Sequence, residues 1–171
     1  MSKIIHQWKR ISLNEDQVTL PTGQTITHTT IHHPGAAVIL PILEDGRLVL
    51  VRQFRPSLNK WILELPAGTI EENELPLACA KRELKEETGY ECEKFIDLGQ
   101  LTPLAGFCDE IQHLFIATDV KQVCGLNCDD DEIIEIQLLT VDELENLIKT
   151  NQISDTKTIA CLSKAKLCGY I

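Results

Sequence analysis

Residues 68–90, GTIEENELPLACAKRELKEETGY, place Glu83, Glu86 and Glu87 at i, i+3 and i+4. On a helix that spacing stacks three carboxylates on one face. They fall in the last turn, because Thr88-Gly89 follows and Gly89 can take the left-handed conformation that ends a helix. Pro76 is tolerated only in a first turn, so the start is predicted near Asn73, with Glu71, Glu72 and Glu74 where negative charge suits a helix N-terminus. Leu77, Ala80 and Leu84 supply an inward face, and Gly68 permits a loop bent tightly against the helix. The element is thus an amphipathic helix that packs through its leucines and turns its carboxylates outward. Its charge pattern is unfavourable in isolation: like charges at i and i+4 repel, and anions sit beside the negative end of the macrodipole. A solvated acidic face is one reading. A doubly positive ion among the carboxylates is the other, and hard cations such as Mg²⁺ prefer such oxygens and bridge well to phosphates.

The flanking sequence supplies a sheet for this helix to cover. Residues 36–43 (AAVILPIL) and 47–54 (RLVLVRQF) are β-branched or aliphatic runs around the turn Glu44-Asp45-Gly46. Residues 61–65, 94–101, 112–118 and 133–139 read as further strands. Thr140-Val141-Asp142-Glu143 is a capping box that opens a helix, and a last helix is predicted over about 155–167. The fold class is α/β, with a mixed central sheet and few helices. Ahead of it, residues 4–13 and 17–32 form an antiparallel appendage, with Pro21-Thr22-Gly23 turning between two short strands. That sheet has few large apolar residues and is expected to pack elsewhere, on a second subunit. The boundary is placed at residues 1–34 for the appendage and 35–171 for the main domain.

Composition narrows the class of function. With 16 Lys and Arg against 26 Asp and Glu, the formal net charge of −10 argues against nucleic acid as a partner, since phosphate-backbone binding needs basic surface. No apolar stretch approaches 18 residues, so no membrane span is expected, and the first residues lack a signal peptide's apolar core. Seven cysteines cannot all pair within the chain, and free thiols in a reducing cytoplasm are expected.

Gly68, Glu74, and Arg82-Glu83-Leu84-Lys85-Glu86-Glu87-Thr88-Gly89-Tyr90, at their observed spacing, resemble the Nudix box, the signature of the Nudix hydrolase superfamily. Tyr90 stands where the family more often has Ile, Leu or Val. The resemblance implies an α/β/α sandwich and hydrolysis of a nucleoside diphosphate linked to another moiety. It makes Glu83, Glu86 and Glu87 metal ligands, for Mg²⁺ or its substitute Mn²⁺, which would polarise the phosphoryl oxygens and acidify a water. Arg82, beside Glu83 and four residues from Glu86, joins the catalytic group as the partner that holds a carboxylate rotamer.

Several segments resemble the ADP-ribose pyrophosphatase branch: Gln53-Phe54-Arg55 ending a strand, Glu64-Leu65-Pro66-Ala67-Gly68 leading into the box, and the N-terminal sheet. That likeness makes the Ala67 carbonyl an additional metal ligand and Glu64 a substrate-site residue, and implies ADP-ribose cleavage to AMP and ribose 5-phosphate; the thinly apolar N-terminal sheet predicts a homodimer. Arg52 and Arg55 are the cations expected to grip a diphosphate through paired guanidinium donors. Glu132, in the acidic stretch at 129–135, is the expected general base, with Glu135 in reserve; a solvated acidic loop is the other reading. Trp8 either stacks on adenine from a partner subunit or packs at an interface. Ala105 occupies a place where the branch usually has proline, which loosens the substrate assignment. Hydrolysis of another nucleotide sugar such as GDP-mannose, or binding of one without turnover, are the alternatives.

Overall fold

The computed structural model describes residues 3–125 and 133–171. Three N-terminal strands, β1 (Lys3–Trp8), β2 (Ile11–Thr19) and β3 (Thr25–His32), form an antiparallel sheet in the order β1-β2-β3. The predicted turn at 21–23 is present, with Gly23 at φ 87°. A second reversal divides what reads as one run: Trp8 pairs with Ile11, and Lys9 adopts φ 48° between them. A lysine is uncommon in that conformation, so nothing in the local composition signals a turn.

The central sheet contains β4 (Ala36–Ile42), β5 (Leu48–Arg55), β6 (Lys60–Glu64), β7 (Ala67–Thr69), β9 (Lys94–Leu101), β10 (Gln112–Thr118) and β12 (Ile134–Leu139), while β8 (Tyr90–Glu91) pairs with β11 (Lys121–Gln122) separately. Its path is β12-β5-β4-β10-β9, and the β4–β10 pair is parallel, so the sheet is mixed. The β4–β5 hairpin is paired only at Ile42 and Leu48. Beyond that point the strands fork. β7 takes over the free edge of β4 (Val38 opposite Ala67), and β6 takes the edge of β5 (Val51 opposite Glu64). Leu65-Pro66 lies in the cleft of the fork, where the Pro66 carbonyl accepts the Ile39 amide at 3.0 Å.

Helices cover both faces. Ala37, Ile39, Val49, Phe115 and Ala117 pack under α1 (Pro76–Thr88) with Cys79, Ala80 and Leu84. On the opposite face Val38, Leu40, Leu48, Leu50, Leu114 and Ile116 pack with Leu144 of α2 (Val141–Lys149) and with Cys161, Leu162 and Ala165 of α3 (Thr156–Leu167). This is the expected α/β/α sandwich. The capping box at Thr140 and Glu143 is present in full. Among the described residues no helix is long and apolar enough to cross a membrane.

Three features of α1 differ from expectation. It starts at Pro76, because Asn73 sits at φ 61° in a turn that a helix cannot include. Glu71, Glu72 and Glu74 therefore precede the helix, and Glu74 turns to other partners. Leu77 is 42% exposed, since the helix is not covered from its first turn; Cys79 fills the inner position instead. Finally, Glu87 is only 3% exposed. The inner stripe runs through Ala80, Leu84, Glu87 and Thr88, so one of the three carboxylates points into the fold.

Candidate active site

Glu83, Glu86 and Glu87 stand at the C-terminal end of α1, packed against β7. The Ala67 amide donates to Glu87 Oε2 at 2.9 Å, joining helix end to strand fork. Gly68 follows, and a Cβ placed there would fall on the Glu83 carboxyl group, so only glycine lets the two approach. Arg82 organises the rest. Its Nε and Nη2 donate to the two Glu74 oxygens at 2.9 and 3.0 Å. Its Nη1 reaches Glu83 at 2.6 Å and Glu86 at 3.0 Å, and Nη2 reaches the Thr69 carbonyl at 3.2 Å. The guanidinium beside Glu74 holds that carboxyl at about 2, and the three carboxylates raise the pKa of Arg82 against its burial. Burial pushes the Cys79 thiol up to about 12, which rules it out as a nucleophile at neutral pH.

Arg82 thus answers part of the repulsion inferred from the sequence, its one guanidinium meeting Glu74, Glu83 and Glu86. All the donors are hard oxygens and suit a divalent cation. In the present arrangement no three His, Cys, Asp or Glu groups converge at ligand distance among the described residues. The reason is visible: Arg82 draws Glu83 and Glu86 to itself, while Glu87 is turned to the Ala67 amide.

The two arginines of the Gln-x-Arg segment part company. Residues 52 and 55 are an odd number apart on a regular strand and project from opposite faces. Arg52 lies 4.4 Å over the Trp61 ring and donates to Glu135 at 2.6 Å, on the face that α2 and α3 cover. Arg55 is on the α1 face, where its Nε donates to Glu64 Oε1 at 2.8 Å. Burial works against the Arg55 charge, and Glu64 first, then Glu87 and Asp155, outweigh it and raise the pKa. Arg55 therefore shares the field of the carboxylate cluster. Glu64 is 1% exposed and paired with Arg55 and Lys157, so it is placed to hold Arg55 rather than to meet a ligand directly. Trp8 is on β1, 42% exposed and stacked on His6 at 5.4 Å. Glu132 lies outside the described residues; Glu135 faces Arg52.

Two cavities flank this region. One, of about 340 Å³, lies between β3 and the 102–111 loop, lined by His28, Thr30, Ala105, Phe107 and Asp109. Gln112, where that loop ends, pairs with Ala36, and Ala36 pairs with Thr69, so the cavity opens at the same end of the sheet as the carboxylates. The other, about 710 Å³, lies by Lys81, Lys85, Phe95 and Lys121, and shares only Arg82 and Leu84 with the site described above. Size does not locate the chemistry here.

Residues 31–160 match the Nudix domain model, and the chain belongs to the Nudix family. It is 40% identical over 158 residues to a methanol dehydrogenase activator of Bacillus methanolicus, covering 92% of this chain and 85% of that protein. It is 34% identical over 164 residues to an ADP-ribose pyrophosphatase of Bacillus subtilis (strain 168), covering 95% and 89%. A crystal structure of an ADP compounds hydrolase shares the fold, with a TM-score of 0.83 over 100% of this chain and 95% of that one at 18% identity. The protein is a Nudix pyrophosphohydrolase. Nudix hydrolases as a family work with a divalent cation, and the carboxylate set on α1 fits one.

Proposed function

We propose that this enzyme hydrolyses ADP-ribose to AMP and ribose 5-phosphate with Mg²⁺, for which Mn²⁺ can substitute. The observation that carries the reading is the seat of Glu83 and Glu87 on the Ala67-Gly68 backbone, an oxygen-rich pocket that no side chain at position 68 could share. Glu83, Glu86, Glu87 and the Ala67 carbonyl are the ligands. A cation held there supplies Lewis-acid polarisation of the phosphoryl oxygens and acidifies a water. Arg82 keeps Glu83 and Glu86 in place through its fixed fork of donors. Arg55, on the carboxylate side of the sheet, grips the diphosphate, while Arg52 on the other face does not. Glu132 serves as general base. Trp8 stacks on the base of the nucleotide bound by a partner subunit, in a homodimer joined through residues 1–34. The free thiols of Cys92, Cys124 and Cys168 suit a reducing cytoplasm.

The test is kcat/KM on ADP-ribose, GDP-mannose and further nucleoside diphosphate sugars, with Mg²⁺ and with Mn²⁺, products being resolved chromatographically. ADP-ribose is expected to lead the panel by at least tenfold. A lead for GDP-mannose would reassign the substrate, and tight binding with no product after long incubation would make the protein a sensor.

A further inference from the structure

Outside the box, a buried polar network joins the strand fork to the first turn of α3. Glu64 closes β6 with both carboxylate oxygens occupied: Oε1 accepts from Arg55 Nε at 2.8 Å, and Oε2 accepts from Lys157 Nζ. Lys157 also reaches Asp155 Oδ1 at 3.2 Å. Asp155 caps α3 by accepting the Thr158 amide at 2.9 Å and the Thr158 hydroxyl at 2.6 Å. Thr158 Oγ1 in turn accepts the Leu65 amide at 2.9 Å. The network thus ends at Leu65-Pro66-Ala67, the segment that meets Glu87.

The division of Glu64 between two cations has a chemical consequence. Left alone with a carboxylate, an arginine binds it through two parallel donors, one to each oxygen. Here Lys157 occupies the second oxygen, so Arg55 is held by Nε alone, and among the described residues neither Nη donates to a protein acceptor. The charge of Glu87 also acts on Arg55.

We propose that Lys157 is a positioning residue for substrate binding: by taking one oxygen of Glu64 it keeps Arg55 from closing onto that carboxylate and leaves its paired Nη donors for the diphosphate. This rests on the reading of Arg55 as the diphosphate ligand. Steady-state kinetics on ADP-ribose with Mg²⁺ test it in the full-length enzyme. Lys157→Met is expected to raise KM about tenfold while kcat stays within about threefold, and Lys157→Arg to restore KM. Adding Lys157→Met to Arg55→Ala is expected to raise KM no further. If Lys157→Met does not fold, Lys157→Ala, which likewise leaves the second Glu64 oxygen open to Arg55, is expected to show the same KM rise. An unchanged KM in Lys157→Met alongside a raised KM in Arg55→Ala would overturn the positioning role alone. An unchanged KM in Arg55→Ala would remove the diphosphate reading beneath it. A fall in kcat with KM unmoved, or further loss in the double variant, would also overturn it.

Discussion

At Gly68 the backbone of β7 runs against the Glu83 carboxyl group, leaving no room for a side chain. Gly68→Ala must push the Glu83 carboxyl group or the strand aside by about an ångström or more, and a displacement of about an ångström at a reacting centre costs about a hundredfold in rate. We expect kcat/KM for Gly68→Ala to fall by about that factor in a protein that still folds cooperatively; unchanged kinetics would mean the contact is incidental. The need for glycine here was legible in the spacing of the box, as was the stacking of Glu83, Glu86 and Glu87. The different fates of Arg52 and Arg55 were also within reach, because strand parity alone separates them. The partnership of Glu64 with Lys157 was not. The two lie 93 positions apart, and neither carries a local signal of the other.

The elements most legible in the sequence were those with continuous apolar or β-branched runs: β9 and β10 have the predicted bounds, and α2 has its predicted cap. What escaped were departures at single residues in the left-handed region: Lys9 dividing β1 from β2, against residue preference, and Asn73 delaying α1, where an asparagine that tolerates that conformation reads as a helix start. The fork of β4 and β5 escaped for another reason: it depends on which strands fill the gap, a tertiary choice.

The junction of β3 with the 104–110 loop yields a pH prediction. His32 Nδ1 and Asp109 Oδ2 are 2.5 Å apart, Asp16 lies 3.6 Å from Nε2, and the His33 amide donates to Asp109 at 2.8 Å. The hydrogen bond to Asp109 is the largest cause raising the His32 pKa above 6.5. A raised pKa makes the contribution complete below the unfolded value of about 6.5 and lost as pH climbs through the folded value. His32→Gln is therefore expected to lower the urea midpoint at pH 5.5 and to approach the wild type at pH 9. A gap that does not change with pH would show that the contact contributes no charge-dependent stability.

On the scale of the whole molecule, the N-terminal sheet stands apart from the two cores. It is tied to the rest by Arg10 to Glu71 at 3.1 Å, by backbone bonds between Ile31 and the 107–109 segment, and by the Asp109 contacts. It exposes Ile4, Ile5, Trp8 and Val18. Apolar side chains on a small sheet favour burial against a second copy. Light scattering at micromolar concentration is expected to give twice the 19.2 kDa chain mass, and Trp8→Asp to weaken the dimer. A monomeric wild type would contradict the proposed subunit arrangement while leaving the catalytic account intact.

That account depends on divalent cations entering the carboxylates at the end of α1, where Arg82 now draws two of them together. Calorimetric titration with Mn²⁺, with and without nucleotide, addresses this most directly. The wild type is expected to take up the ion, and Glu83→Gln, Glu86→Gln and Glu87→Gln to weaken uptake by at least about tenfold, in the range that loss of a metal-site partner produces. No uptake by the wild type, or equal uptake by all four proteins, would contradict it.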